Sequence, residues 1–194
     1  MPRLSTVLIL LVASLAACTS NANVQLDDYR MPTAVPGAVE LTETVQTEIE
    51  ASIPSADCPV TMPGKVSFEA PEPYSPSAPW AGMFWYGTKG LWTALQTNGV
   101  WSGLPDNLGG YTQKIMWWSH YYSLKDELVP ALVVLGRRLD GDAPPLKFDG
   151  ATNASAADIG DAMLTGVDFP TLGCWEITGQ YKKTGLTFVV WIAP

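Results

Sequence analysis

The chain has 194 residues, only 15% of them charged, and a formal net charge of −8 at pH 7. So acidic a balance argues against nucleic acid or anionic lipid headgroups as partners, because phosphate binding needs clustered Lys and Arg. The 17 Gly and 16 Pro predict many turns, as expected of an all-β fold.

Arg3 and the apolar run 7–17 open the chain in the pattern of a signal peptide, and the run is too short to span a bilayer as a helix. It ends in Leu15-Ala16-Ala17-Cys18, which reads as a lipobox. Small residues suit the peptidase subsites, and the thiol accepts a thioether-linked diacylglycerol. Residues 1–17 are therefore read as a lipoprotein signal peptide and Cys18 as the lipidated N-terminus. Each buried acyl CH₂ contributes about 0.8 kcal/mol, so two or three chains hold a protein at a membrane. The expected address is extracytoplasmic and lipid-anchored in the cell envelope. Thr19, in place of an Asp, favours the outer membrane in a two-membrane bacterium; otherwise the anchor sits in the outer face of the cytoplasmic membrane.

Residues 18–57 read as a disordered acidic tether. Asp27, Asp28, Glu40, Glu43, Glu48, Glu50 and Asp57 stand against Arg30, with few large apolar side chains to form a core. A short helix over 39–50 is the one element this stretch suggests. Lipidation of Cys18 leaves Cys58 and Cys174, which in an oxidising compartment read as a disulfide, the alternative being two buried thiols.

From Cys58 to the C-terminus, short β-branched and aromatic runs alternate with turn signals. Strands are expected over 83–87, 90–96, 111–119, 131–139, 162–169, 174–181 and 186–192, while the Pro-rich stretch 70–79 reads as an extended loop. Strands of this length and spacing predict an all-β, immunoglobulin-like antiparallel β-sandwich over 58–194. In the last hairpin, a four-residue loop over 182–185 would pair Tyr181 with Leu186 and Gly179 with Phe188. One face then carries Trp175, Ile177, Gly179, Tyr181, Leu186, Phe188, Val190 and Ile192 toward the core. Cys174 falls on the opposite face, with Trp191 as its exposed aromatic, so a bond to Cys58 would staple the start of the domain to the outside of the sandwich.

Catalytic signatures are sparse. His120 is the only histidine, in Trp117-Trp118-Ser119-His120-Tyr121-Tyr122, and no Gly-x-Ser-x-Gly elbow or Ser-x-x-Lys accompanies it. It reads as an imidazole in an aromatic cluster, and no metal or cofactor is expected. Asp140, Asp142, Asp149, Asp158, Asp161 and Asp168 fall within one stretch, able in principle to serve calcium or glycoside hydrolysis but ordinary at turns. Arg137-Arg138 reads as a structural ion-pair site with an aspartate nearby. The aromatics are in excess between Trp80 and Tyr122, and adjacent Trp117 and Trp118 must face opposite sides of a strand, so at most one is expected in the core. Trp85, Trp118, Tyr121 and Tyr122 are the candidate contact surface.

Several landmarks occur in order: Cys58-Pro59-Val60-Thr61, Tyr86-Gly87, Leu91-Trp92, Gly99-Val100-Trp101, Gly136-Arg137-Arg138-Leu139-Asp140, Ala143-Pro144-Pro145, Phe169-Pro170-Thr171 and Gly173-Cys174-Trp175-Glu176-Ile177-Thr178-Gly179. By this set the chain resembles a family of uncharacterised bacterial secreted proteins and lipoproteins. The resemblance covers roughly Cys58 to the C-terminus. It implies a cysteine pair at 58 and 174 and an extracytoplasmic domain, and it brings no activity.

The sequence therefore leads to a non-catalytic binding or structural module of the bacterial envelope, with an envelope protein or a glycan as partner. The alternatives are a carboxylate-dependent envelope hydrolase using residues among 140–168, and a carbohydrate-binding module using the exposed Trp and Tyr.

Overall fold

Apolar side chains at alternate positions, punctuated by glycine-rich turns, give ten strands between Met83 and Ile192. The computed structural model describes residues 53–194 apart from 66, 67, 76, 77, 79 and 108. The signal peptide, Cys18, the suggested helix and nearly all of the tether lie outside the described residues. The strands are β1 (Met83–Thr88), β2 (Leu91–Gln96), β3 (Val100–Trp101), β4 (Asp106–Asn107), β5 (Gly110–Trp118), β6 (Val133–Arg138), β7 (Lys147–Ala156), β8 (Gly160–Phe169), β9 (Gly173–Tyr181) and β10 (Thr184–Ile192).

They form two sheets, and the all-β sandwich expected from the sequence is the fold. One sheet has the order β1-β2-β5-β8-β7, with β4 added to β5; the other has the order β3-β10-β9-β6. Pairing is antiparallel except where β3 joins β10. The six-stranded sheet is incomplete in its middle. β2 meets β5 only at Trp92–Trp118 and Thr93–Trp117, and β4 covers only Gly110 and Tyr111 of β5. Residues 113–116 of β5 therefore face a break.

The sequence reading missed β3, β4 and β7, of which the longest is β7. Its residues, Lys-Phe-Asp-Gly-Ala-Thr-Asn-Ala-Ser-Ala, are small and polar and disfavour strands intrinsically. It forms because it needs only one partner, as the edge beside β8, with a bulge between Phe148 and Ala151. Polar composition and a bulge are also what keep an exposed edge from pairing with other chains.

Trp117 of β5 points between the sheets and rests on Gly179 of β9. A Cβ at that glycine would lie 2.5 Å from the indole ring. The ring packs 5.7 Å from Phe188, its Nε1 donates to the Thr165 hydroxyl at 3.1 Å, and that hydroxyl donates to the Ile115 carbonyl at 3.2 Å. The one polar atom of the indole is thus satisfied within the core, where an unpaired donor costs about 1–3 kcal/mol. The chain Trp101, Phe169, Trp175 continues the aromatic packing through edge-to-face contacts of 6.0 and 5.4 Å.

The last hairpin buries the expected face, from Trp175 through Ile192, but its register is corrected by two residues. The turn is the two-residue Lys182-Lys183, so Tyr181 pairs with Thr184, Gly179 with Leu186 and Ile177 with Phe188. The hidden signal was Lys182 at φ 52°, a left-handed position usually filled by Gly or Asn. A shift of two preserves side-chain parity, which is why the faces survive the wrong pairing. Gly179 consequently makes room for Trp117 of the facing sheet, and not for Phe188.

Cys58 and Cys174 are bonded, with Cα atoms 5.7 Å apart and 116 residues between them. Cys174 lies opposite Trp191 on the outer face of its sheet, so the bridge staples the start of the domain to the outside of the sandwich. Closing so long a loop contributes roughly 4–5 kcal/mol in the chain-entropy picture. Beyond the bridge the chain runs along β10, where the Thr61 amide donates to the Val189 carbonyl at 2.8 Å and the Val189 amide to the Thr61 hydroxyl at 2.9 Å. Trp191, expected as an exposed aromatic on that side, is half-buried.

Replacing Gly179 with Ala is expected to lower unfolding free energy by about 1–3 kcal/mol, because neither the β9 backbone nor the indole can yield. Gly185→Ala, where the nearest atom to a new Cβ is 3.9 Å away, should be nearly neutral. Equal effects in urea unfolding would contradict this account of the sheet packing.

Candidate functional site

The aromatic-rich stretch divides between two faces. β1, β2, β5 and β8 carry large apolar residues on both sides, so the six-stranded sheet has a second apolar face turned away from the sandwich core. Trp85, Trp92, Ala94, Trp118, Ile159 and Ala162 form a cluster there with Ala70, and Phe68, Tyr74 and Met83 pack against it. The described part of the Pro-rich stretch, expected as an extended loop, turns over residues 71–74 and covers the cluster through Ala70 and Tyr74. The Tyr74 ring sits 5.5 Å from Trp92 and 6.3 Å from Trp118, both edge-on, and Trp85 meets Trp118 edge-on at 5.0 Å. The Trp85 indole donates to the Ser75 carbonyl at 2.6 Å and the Trp118 indole to the Ile159 carbonyl at 2.9 Å.

This corrects the candidate contact surface. Trp85, Trp118 and Tyr122 are buried, and of the four residues only Tyr121, at 55% exposure, faces solvent. The expectation that at most one of Trp117 and Trp118 is core fails for the same reason: each is wholly buried, on opposite faces of one strand. Strand alternation was read correctly, but a sheet covered on both sides was not anticipated. The available signal was the pair Phe68 and Tyr74, aromatic side chains in a proline-rich stretch with no strand of their own.

Tyr121 and Tyr122 belong to the connection from β5 to β6. His120 is exposed, its ring 3.8 Å from that of Tyr121, and its amide donates to the Lys89 carbonyl at 3.1 Å. Tyr122 lies edge-on to Tyr181 at 6.3 Å, and its hydroxyl has no hydrogen-bond partner among the described residues. Glu127 pins the connection: it accepts from the Tyr181 hydroxyl and from the Ala131 amide, each at 2.6 Å. The Lys182 ammonium donates to the Tyr121 carbonyl at 2.7 Å, tying the connection to the strained turn.

The carboxylates of the 140–168 stretch have separate duties. Asp140 pairs with Arg138 at 2.7 Å, Asp161 accepts from the Leu124 amide and the Ser155 hydroxyl at 2.9 Å, and Asp168 accepts from Thr112 at 2.6 Å. Asp142, Asp149 and Asp158 are exposed. Burial pushes the Asp140 carboxyl up, but hydrogen bonds from Arg138 and the Cys174 amide outweigh it and leave it below the usual aspartate range. Arg137 pairs with Glu176 at 2.7 Å, so both arginines of the doublet form ion pairs at the surface and neither needs a buried partner.

A concavity lies along β1, an edge strand. Thr61 is hydrogen-bonded to β10 and Phe68 packs on the outer cluster. A groove of about 490 Å³ has a lining that includes Met62, Phe68, Phe84, Trp85, Tyr86 and Leu186. Phe84 and Tyr86 point toward the main core and Trp85 toward the outer cluster. The Tyr86 hydroxyl donates to the Thr187 carbonyl at 3.2 Å, leaving Thr88 as the polar side chain at the rim. Such a lining holds a ligand by apolar burial and aromatic contact. In the two-residue β1–β2 hairpin Thr88 pairs with Leu91, so Trp85 and Gly87 turn their backbone groups away from β2, along this edge.

No family model matches the chain, and neither a curated protein nor a solved structure matches it.

The Glu127–Tyr181 bond gives stability a defined pH dependence. Burial pushes the Glu127 carboxyl up, but the Tyr181 hydroxyl, the Ala131 amide and Lys182 more than offset it and hold it below its ordinary value of 4.5. Burial and Glu127 together push Tyr181 well above its ordinary value of 10.0. A depressed carboxyl contributes stability that is present above its unfolded pKa and lost as pH falls through the folded value. A raised phenol contributes stability that is lost as pH rises above its unfolded value. Glu127→Gln should therefore flatten the acid limb below about pH 4.5, and Tyr181→Phe the alkaline limb above about pH 10, in denaturant titrations across pH. Unchanged limbs would place the pH dependence elsewhere.

Proposed function

We propose that this chain is a lipid-anchored, extracytoplasmic β-sandwich acting as a non-catalytic binding module of the bacterial cell envelope. Its ligand is an extended, apolar segment of a partner protein, seated in the groove along β1. The observation that carries this reading is the groove itself: an aromatic-lined channel beside an edge strand whose outward backbone groups suit an added extended segment. The domain already seats proline-rich chain of its own, turned over residues 71–74, on aromatic rings. Its Pro-rich stretch lies on Trp85, Trp92 and Trp118, and the Trp85 indole donates to the Ser75 carbonyl. This combines aromatic packing with an indole-to-carbonyl hydrogen bond.

The lipobox at Leu15-Ala16-Ala17-Cys18 supplies the anchor, and the ordered landmarks from Cys58 onward point to an exported domain. The Cys58–Cys174 bridge suits an oxidising compartment. The separate structural duties of Asp140, Asp161 and Asp168 favour binding over the carboxylate-hydrolase reading.

Cys18 lipidation predicts incorporation of labelled palmitate that Cys18→Ser abolishes, the mutant retaining residues 1–17 by mass. A labelled Cys18→Ser protein would contradict the anchor. For the groove, a photoreactive side chain placed at exposed Thr88 in intact cells should give a discrete protein adduct that Met62→Glu removes. No adduct beyond that obtained from exposed Asp142, remote in sequence and outside the groove, would overturn the reading.

A further inference from the structure

The break in the six-stranded sheet opens a small pocket with three polar side chains in its lining. β4 covers the start of β5 and β2 covers its end, leaving residues 113–116 without a neighbouring strand on that side. The Thr112 amide donates to Pro105 at 2.9 Å, and the Met116 carbonyl accepts from the Thr93 hydroxyl at 2.7 Å, so even-numbered residues of β5 turn their backbone groups toward the break. Lys114 lies between them. Its amide is satisfied by the Gln113 side chain at 2.9 Å, so a side chain does the work of the missing strand. Its carbonyl faces the opening.

The space is a cavity of about 300 Å³, lined by Gln96, Gln113 and Lys114 and by seven apolar residues that include Trp80, Trp101 and Met116. That volume lies at the small end of ligand pockets. Trp80 is 41% exposed at its side. Among the described residues, the Gln96 side-chain amide, the remaining Gln113 N–H groups and the Lys114 ammonium make no hydrogen bond. The lining therefore offers several donors, a backbone acceptor and an aromatic face within one small opening.

We propose that this break binds a single pyranose-sized unit of a saccharide, with an acidic substituent directed at Lys114. A sugar ring presents an apolar C–H face to Trp80 and hydroxyls that both donate to the Lys114 carbonyl and accept from the two glutamines. An apolar peptide segment would leave those polar groups unmatched, which costs affinity at each one. Both linings are mostly apolar; this one adds two glutamines and a lysine, where the groove along β1 offers only the Tyr86 and Thr88 hydroxyls. The saccharide site does not depend on the groove or its partner.

The test is binding of the full chain, purified in detergent, to an array of neutral, N-acetylated and uronate-bearing pyranose oligosaccharides. Wild type should bind a subset that includes uronates. Trp80→Ala should weaken that binding about tenfold or more through loss of the stacking ring. Lys114→Ala should remove the preference for uronates while keeping neutral binding. Gln96→Ala, at the edge of β2, serves as a second variant should Trp80→Ala fail to fold, and should also weaken binding. Absence of binding to every sugar, or binding that folded Trp80→Ala or Gln96→Ala leaves unchanged, overturns the proposal. Thr88 and Met62 variants should leave saccharide binding intact, which separates failure of this site from failure of the groove.

Discussion

The structure depends on a six-stranded sheet that is apolar on both faces. Leu91, Leu95, Ile115, Trp117, Met163 and Val167 point inward to the four-stranded sheet, while Trp85, Trp92, Trp118 and Ala162 point outward. A sandwich covers one face only. Burying a large apolar side chain is worth roughly 1.5–3 kcal/mol, so three exposed indoles would forfeit several kcal/mol from a fold whose net stability is typically about 5–15. The chain ahead of β1 meets this need, and Cys58–Cys174 with the Thr61–Val189 pair fixes where that segment begins.

The candidate sites follow from how far this cover reaches. The groove along β1 is lined by Met62 and Phe68 of that segment, by Phe84, Trp85 and Tyr86 of β1 and by Leu186 of β10. Phe68, Ala70 and Tyr74 then cover the indoles near the β1–β2 turn. They do not cover the break between β2 and β5, where Trp80 stands exposed beside Gln96, Gln113 and Lys114. The two openings differ in the polar side chains they present, which is why two kinds of ligand are inferred for one small domain.

Much of this was readable in the sequence wherever one strand decided its own fate. The apolar runs placed β1, β2, β5, β6, β8, β9 and β10 within a few residues of their ends, and the cysteine pair was legible once Cys18 was assigned to the lipid. Parity gave the inward face of the last hairpin even though Lys182-Lys183 hid a two-residue turn. What escaped depends on partners distant in sequence. β7 is polar and exists because β8 offers it an edge. Trp118 and Trp85 looked like surface aromatics because their cover, Tyr74, lies in a segment with no periodicity. Gly179 showed a missing side chain, but only the facing sheet reveals that Trp117 fills the space. The break in the sheet has no local signature, since Gln113 and Lys114 read as ordinary strand residues.

The claim that the preceding segment completes the fold by sealing the outer face is tested most directly at the indole N–H groups. Trp85 and Trp118 donate to Ser75 and Ile159 beneath the cover. Hydrogen exchange followed by nuclear magnetic resonance should show both indole protons strongly protected, with Trp85 losing that protection selectively when Tyr74 is replaced by Ala. Exchange of the Trp85 proton at the rate of a free indole in the wild-type protein would contradict the account.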